Sequence, residues 1–166
     1  MTKPTPPLAS LVTPDALAGA DVLARSNQGV IYRLATGHAQ FAIKAAAGRG
    51  AVLAINRYAL MRESRAYQRL EGLPCIPRFR GLVDDRFLVL DFIDAEPFRD
   101  AETGPGFFEQ LLETIRAMHA RGVAHGDLKR KSNLMIDPQG RPVLLDFSAA
   151  TLLRPGWHPV NRRLFE

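Results

Sequence analysis

Two stretches decide the fold: Val123-Ala124-His125-Gly126-Asp127-Leu128-Lys129-Arg130-Lys131-Ser132-Asn133-Leu134-Met135-Ile136, and Val143-Leu144-Leu145-Asp146-Phe147-Ser148. The first sets a polar, charged loop between an apolar helix and an apolar strand. The second ends an apolar strand on an acid. A carboxylate leaving an apolar strand is costly unless it meets a cation or a metal. Asp127, Asn133 and Asp146 are hard oxygen ligands or bases of the kind that Mg²⁺ and phosphate chemistry require.

Upstream of these stretches, Phe107, Phe108, Leu111, Leu112, Ile115 and Met118 recur at helical spacing and predict a helix over 105–121, with Pro105 in its first turn and Gly122 at its stop. That stripe reads as core packing. Residues 94–104 are acidic, contain Gly and Pro, and read as a linker. Earlier, strand-like runs occupy 21–26, 29–35 and 40–46, separated by Asn27-Gln28-Gly29 and Thr36-Gly37-His38. A long helix is predicted over 53–70, then strands at 78–83 and 86–93 around an Asp84-Asp85 turn. Further strands are expected at 133–137 and 142–146, around Pro138-Gln139-Gly140. Thr13-Pro14-Asp15 has the N-cap signature of a short helix ending near Gly19, and residues 1–10 read as a tail. The order implies an α+β fold in which a β-rich first half meets a helix-led second half.

The chain has 166 residues, a net charge of +5, 46% hydrophobic residues and a single cysteine, Cys75. Such a composition argues against wholesale disorder, and one cysteine excludes an internal disulfide, which fits a reducing, cytoplasmic setting. No apolar run approaches the ~18 residues needed to span a bilayer, and the first residues lack a signal peptide's apolar core. Residues 1–83 carry 11 basic and 4 acidic groups, whereas residues 84–166 carry 11 basic and 13 acidic groups. A nucleic-acid binder needs a basic stripe with phosphate reach, and here the arginines are scattered. A solvated surface is the simplest account of the charge, and an anionic ligand held by the first half suits the asymmetry better than nucleic acid does.

With these residues in place, the sequence resembles the protein-kinase-like superfamily. His125-Gly126-Asp127 with Asn133 resembles the catalytic loop, and Asp146-Phe147-Ser148 the metal-binding DFG element. Phe41-Ala42-Ile43-Lys44 resembles the strand signature V-A-I-K. Glu63 follows Lys44 by 19 residues, in an otherwise apolar helical face with Ala59, Ala66 and Leu70. The resemblance implies a two-lobed kinase-like fold with a β-rich N-lobe and a truncated, minimal C-lobe. Its divisions would be a tail and short helix over 1–19, an N-lobe over 20–93, a C-lobe over 94–150 and a tail over 151–166. The HGD form resembles small-molecule phosphotransferases and atypical bacterial and archaeal kinases, and the run VAHGDLKRKSNLMID looks most like the short bacterial members of the lipopolysaccharide-kinase-like group.

Departures accompany the match. Only Gly29 stands where a three-glycine phosphate loop is expected, with Ala24 and Ser26 in the other two places. The interval from Asp127 to Asn133 is one residue longer than in H-R-D-L-x-x-x-N. Either Asn133 keeps the metal role or Ser132 occupies that place; the strand that follows favours Asn133. Ser148 replaces the DFG glycine, and no A-P-E element follows.

What the resemblance implies for function is transfer of the γ-phosphate of Mg-ATP to an alcohol, a protein Ser/Thr or a sugar hydroxyl. Lys44, positioned by Glu63, would contact the α- and β-phosphates. Asn133 and Asp146 would hold Mg²⁺, Asp127 would accept the hydroxyl proton, and Lys129 would neutralise the transferring group. Gly29, Ile31, Ala42, Leu90 and Met135 would enclose the nucleotide, with backbone groups of Asp91–Ile93 reading the adenine edge. The alternative is a nucleotide-binding pseudokinase or scaffold. The partners implied are ATP and a hydroxyl acceptor, with peripheral membrane contact left open, and a second copy or partner over the short C-lobe.

Overall fold

The computed structural model describes residues 8–153 apart from His38 and Lys131. The expectations for residues 1–7, His38, Lys131, Trp157 and the segment 158–166 lie outside the described residues. The chain divides into two compact units, Met1–Ser64 with Arg78–Phe92, and Arg65–Pro77 with Ile93–Glu166.

The first unit contains α1 (Leu8–Leu11), α2 (Pro14–Ala18), β1 (Asp21–Arg25), β2 (Gly29–Thr36) and β3 (Ala39–Ala46). It continues with α3 (Gly50–Arg69) as far as Ser64, then β4 (Phe79–Val83) and β5 (Phe87–Asp91). The strands form one sheet in the order β1-β2-β3-β5-β4, with every neighbouring pair antiparallel. This is a mixed α/β arrangement with a β-rich first part, as a kinase-like N-lobe requires.

Alternation along β3 gives the sheet two different faces. Phe41 and Ile43 are fully buried and join Leu34 and Val89 in a core cluster. Leu8, Val12, Ala16 and Leu17 pack against that cluster. Leu8, read as tail from sequence, is thus a packed residue; one helical turn is too short to announce itself by periodicity. Burying each large apolar side chain of the cluster contributes about 1.5–3 kcal/mol. The expected cap at α2 is present, with the Ala16 N–H donating to Thr13 Oγ1 at 3.1 Å. Asp84 and Asp85 close the β4–β5 turn with φ of +52° and +51°, a pair of left-handed residues that suits a tight hairpin.

The second unit holds the last turn of α3, β6 (Glu96–Pro97), α4 (Phe107–Ala120), β7 (Val123–Ala124), β8 (Leu134–Ile136), β9 (Pro142–Leu144), a 3₁₀ turn at Phe147–Ala149 and β10 (Thr151–Leu152). One small sheet runs β6-β8-β9, and β7 pairs with β10. The segment after α3 is tied in by polar contacts. Arg121 Nη1 donates to the carbonyls of Arg69 (3.1 Å) and Glu71 (2.8 Å), and the Leu144 N–H donates to Cys75 O at 2.8 Å.

Three sequence expectations need correction here. The linker over 94–104 contains β6, which pairs Glu96 with Ile136 and Pro97 with Met135. The tail beginning at 151 opens with β10, where Thr151 pairs with Ala124 and Leu152 with Val123. Two-residue strands carry no period to read. In α4, Phe107 and Met118 are buried, but Phe108 is 61% and Leu112 47% exposed. The core-facing stripe is therefore narrower than the run of apolar residues, and buried Thr114 takes part of it.

Gly29 shows how closely β2 and β3 approach. A Cβ built on it would lie 2.2 Å from the Ala45 carbonyl oxygen, and its φ is not left-handed. The glycine is required by the strand contact itself. Gly29→Ala is expected to force the strands apart and cost about 1–3 kcal/mol, read as a lower midpoint in chemical denaturation. An unchanged midpoint would contradict this packing.

Candidate functional site

The face of the first unit's sheet opposite the buried cluster carries most of the expected nucleotide residues. Register places Ile31 opposite Lys44, Lys44 opposite Leu88, and Ala42 opposite Leu90. Gly29, Ile31, Ala42, Lys44 and Leu90 therefore share one side of three adjacent strands. On that side Lys44 Nζ lies 2.7 Å from Glu63 Oε2. Glu63 is only 2% exposed, and a carboxylate so buried needs compensation of the kind the Lys44 ammonium supplies. A helical acid inside an apolar stripe and a lysine on a strand thus meet as the sequence suggested.

Asp91 behaves differently from its neighbours. Its side chain lies on the other face, where Arg80 Nε and Nη2 contact its two carboxylate oxygens at 2.5 and 2.9 Å. The N–H groups of Asp91 and Phe92 donate to Arg78 O and Gln40 O, both at 3.0 Å. Neither of these two donors is oriented to read a ligand edge. Ile93 opens the second unit and is half-buried.

The second unit builds its site on the loop between β7 and β8. Asn133 is 1% exposed, and its Nδ2 donates to the Asp127 carbonyl at 2.8 Å and reaches Asp127 Oδ2 at 3.5 Å. Ser132 is exposed and its Oγ donates to Asn133 Oδ1 at 3.3 Å. Asn133, rather than Ser132, is therefore the side chain folded onto Asp127. The Asn133 carbonyl accepts the Leu145 N–H at 2.9 Å, which joins the loop to the chain entering Asp146.

His125 makes a second tie. Its Nε2 is 2.9 Å from Leu145 O and its Nδ1 is 3.4 Å from the Asp127 N–H. A donor at Nε2 and an acceptor at Nδ1 define a neutral ring. Burial lowers its pKa below the ordinary value, outweighing the backbone bond to Leu145 and the charges of Asp146 and Asp127 that act the other way. His125 also packs 4.6 Å from the Phe147 ring, and Tyr67 meets the same ring edge-on at 4.9 Å. A Cβ on Gly126 would lie 2.4 Å from Ala149 O, and its φ is +81°.

Asp146 has a left-handed backbone, φ +60° and ψ +77°. Its N–H donates to Tyr67 Oη at 3.2 Å and its Oδ1 accepts the Ser148 N–H at 3.3 Å. Tyr67 was not singled out from sequence. Its position one helical turn beyond Glu63, on the buried face of α3, is the signal that could have found it. Asp127 is partly exposed and Arg130 Nε lies 3.6 Å from its Oδ2. Lys129 is exposed, and Met135 is half-buried on β8. Asp127 and Lys129 border an open cavity of about 670 Å³ floored by Ile115, Met118 and His119. Among the described residues, no three His, Cys, Asp or Glu side chains gather as a metal cluster.

No family model matches the sequence. A probable serine/threonine-protein kinase HAL5-like of Eremothecium gossypii is 37% identical over 67 residues, covering 36% of this chain and 10% of that protein. A probable SapB synthase of Streptomyces coelicolor is 32% identical over 115 residues, covering 55% of this chain and 12% of that protein. A putative cyclin-dependent kinase F-2 of Oryza sativa subsp. japonica is 28% identical over 123 residues, covering 61% and 37%.

The partial matches to the two kinases indicate a protein-kinase-like relationship. The chain spans between a tenth and about a third of the length of these three relatives. Among the described residues, no helix is long and apolar enough to cross a membrane.

Two outcomes follow from the geometry. Lys44→Met should lower stability by about 3–5 kcal/mol, because buried Glu63 loses the Lys44 cation, and adding Glu63→Leu should restore much of the loss. A double variant no more stable than the single one would contradict the coupling. His125 has a folded pKa below its unfolded value, so the unfolded chain binds the extra proton first as pH falls. Its contribution is complete above the unfolded value and lost as pH falls from about 6.5 towards the folded pKa. Denaturation midpoints should fall over that window in the native chain and less steeply in His125→Gln; parallel curves would contradict it.

Proposed function

We propose that this chain carries the nucleotide-binding and catalytic residues of an ATP-dependent phosphotransferase. It would move the γ-phosphoryl group of Mg-ATP to an alcohol, on a protein Ser/Thr or on a sugar such as that of lipopolysaccharide. The observation that carries this reading is the buried amide of Asn133 folded onto the Asp127 carbonyl. It fixes a base and a neutral oxygen ligand in one loop, and the Asn133–Leu145 bond leads directly to Asp146.

The donor set suits the metal. Mg²⁺ prefers a carboxylate or two, with waters and substrate phosphates completing its shell, and Asn133 Oδ1 with the Asp146 carboxylate offers such a set without a larger acidic cluster. When bound, the ion would neutralise charge on the phosphates. Lys44, with Glu63 as its fixed counter-charge, would contact the α- and β-phosphates. Asp127 would orient the acceptor hydroxyl and take its proton as the oxygen bonds to the γ-phosphorus and ADP departs. Lys129 would offset charge on the transferring group. Ile31, Ala42, Leu90 and Met135 would supply apolar contact to the base. The HGD form supports the small-molecule or lipopolysaccharide-type acceptor, and the kinase names of several relatives support protein Ser/Thr. A need for ATP favours the cytoplasm, and exposed Phe108 and Leu112 favour a second copy or partner protein.

A second reading, a nucleotide-binding protein with little turnover, draws on the β1–β2 turn. Only Gly29 stands there where three glycines are expected, and the Gln28 and Gly29 N–H groups donate to Ser26 Oγ at 3.2 and 3.3 Å, bonds that a phosphate oxygen would have to displace. Mg²⁺-dependent ATP consumption, compared between the native chain and Asp127→Asn, separates the two. Loss of a general base should slow turnover by roughly 10²–10⁴-fold. Equal rates in both proteins would rule out the enzyme and leave the binding protein.

A further inference from the structure

The same β1–β2 turn contains an interaction that neither the motif comparison nor the catalytic residues involve. Asn56 sits in the first half of α3, half-buried. Its Nδ2 donates to two backbone carbonyls, Asn27 at 3.2 Å and Ala47 at 2.9 Å. Two carbonyl acceptors around one terminal atom identify that atom as the amide nitrogen. Ala47 is held from its other side, since its N–H donates to Gln28 O at 3.1 Å. The turn, the end of β3 and α3 are thus linked in a closed ring of hydrogen bonds through one side chain.

The ring sets the direction of the turn's donors. A peptide unit is planar, with its C=O and N–H opposed. Drawing the Asn27 carbonyl towards Asn56 therefore points the Gln28 N–H the other way. That N–H and the next one, of Gly29, converge on a single oxygen, Ser26 Oγ. Both bonds are longer than the ~2.9–3.0 Å common for N–H···O. Successive N–H groups aimed at one oxygen form the kind of concavity that binds anions. A loop with three glycines can reach such an arrangement on demand; this turn, with only Gly29, holds it in advance.

We propose that Asn56 is a positioning residue that presets the Gln28 and Gly29 N–H groups for a phosphate oxygen of the nucleotide, which takes the place now filled by Ser26 Oγ. This rests on the nucleotide reading above and adds to it a residue and a division of labour. Asn56 would act chiefly on the phosphate part of the ligand, because its acceptors, Asn27 and Ala47, lie four and five residues along the chain from Ile31 and Ala42, which with Leu90 would contact the base. Preorganisation of this kind raises affinity by lowering the ordering cost on binding.

The test compares dissociation constants for Mg-ATP and for adenosine, by calorimetry, in the native chain, Asn56→Ala and the similarly sized Asn56→Leu. Thermal unfolding and amide exchange are measured alongside. Both variants should bind Mg-ATP about tenfold more weakly, as loss of two hydrogen bonds implies, with adenosine affinity within about twofold of native. Exchange at Gln28 and Gly29 should quicken. Equal weakening for both ligands would make Asn56 a general support of the fold and overturn the proposal, as would unchanged Mg-ATP affinity in two folded variants. Should one variant fail to fold, the other carries the comparison; should both fail, Asn56 is a folding residue and the proposal falls. A native chain that binds neither ligand would overturn the nucleotide reading itself, and the two failures are distinct.

Discussion

A buried amide cannot leave its polar atoms unpaired without a cost of about 1–3 kcal/mol for each lost partner, and Asn133 is almost wholly buried. Its Nδ2 finds the Asp127 carbonyl, its Oδ1 the Ser132 hydroxyl, and its backbone carbonyl the Leu145 N–H. Those three bonds shape the second unit's site. They curl the loop so that Asp127 lies beside Asn133, and they join that loop to the strand that delivers Asp146. His125 reinforces the second tie from the Leu145 carbonyl, on a ring kept neutral by burial. Loop and strand end are held by bonds on both sides of one residue, Leu145.

The first unit meets the same constraint with charge. Glu63 is buried in α3, and Lys44 on β3 is the cation 2.7 Å away. Desolvating both groups is expensive, so the pair adds less net stability than its Coulomb attraction suggests. What it fixes is the position of an ammonium group on the sheet face that Ile31, Ala42 and Leu90 share. Sheet alternation makes this separation of roles possible: Phe41 and Ile43 face the core cluster under α1 and α2, while Ala42 and Lys44 face away from it.

Much of this was readable in the sequence because the informative residues violate local patterns. An acid in an apolar helix face, a lysine in an apolar strand and an acid at a strand end each demand a partner, and their order supplied the kinase-like resemblance. The five strands of the main sheet lie close to their expected positions for the ordinary reason that alternation and turn residues agree. Features that depend on non-local contacts were hidden. Tyr67 bonding to Asp146, Asn56 holding the β1–β2 turn, and the strand pairs β6–β8 and β7–β10 join residues far apart in the chain, and nothing in their own segments signals it. Gly29 is a further case: its place suggested a phosphate loop, while the structure adds that the Ala45 carbonyl leaves no room for a Cβ.

If Asn133 and Asp146 hold Mg²⁺ as proposed, ATP binding depends on the metal. Calorimetric titration with ATP, in Mg²⁺ and again in chelator, reads that dependence. The native chain should bind ATP more tightly with Mg²⁺, and Asp146→Ala should bind it with the same lower affinity in both conditions. Equal affinity with and without Mg²⁺ in the native chain, or a Mg²⁺ gain that survives Asp146→Ala, would contradict the account.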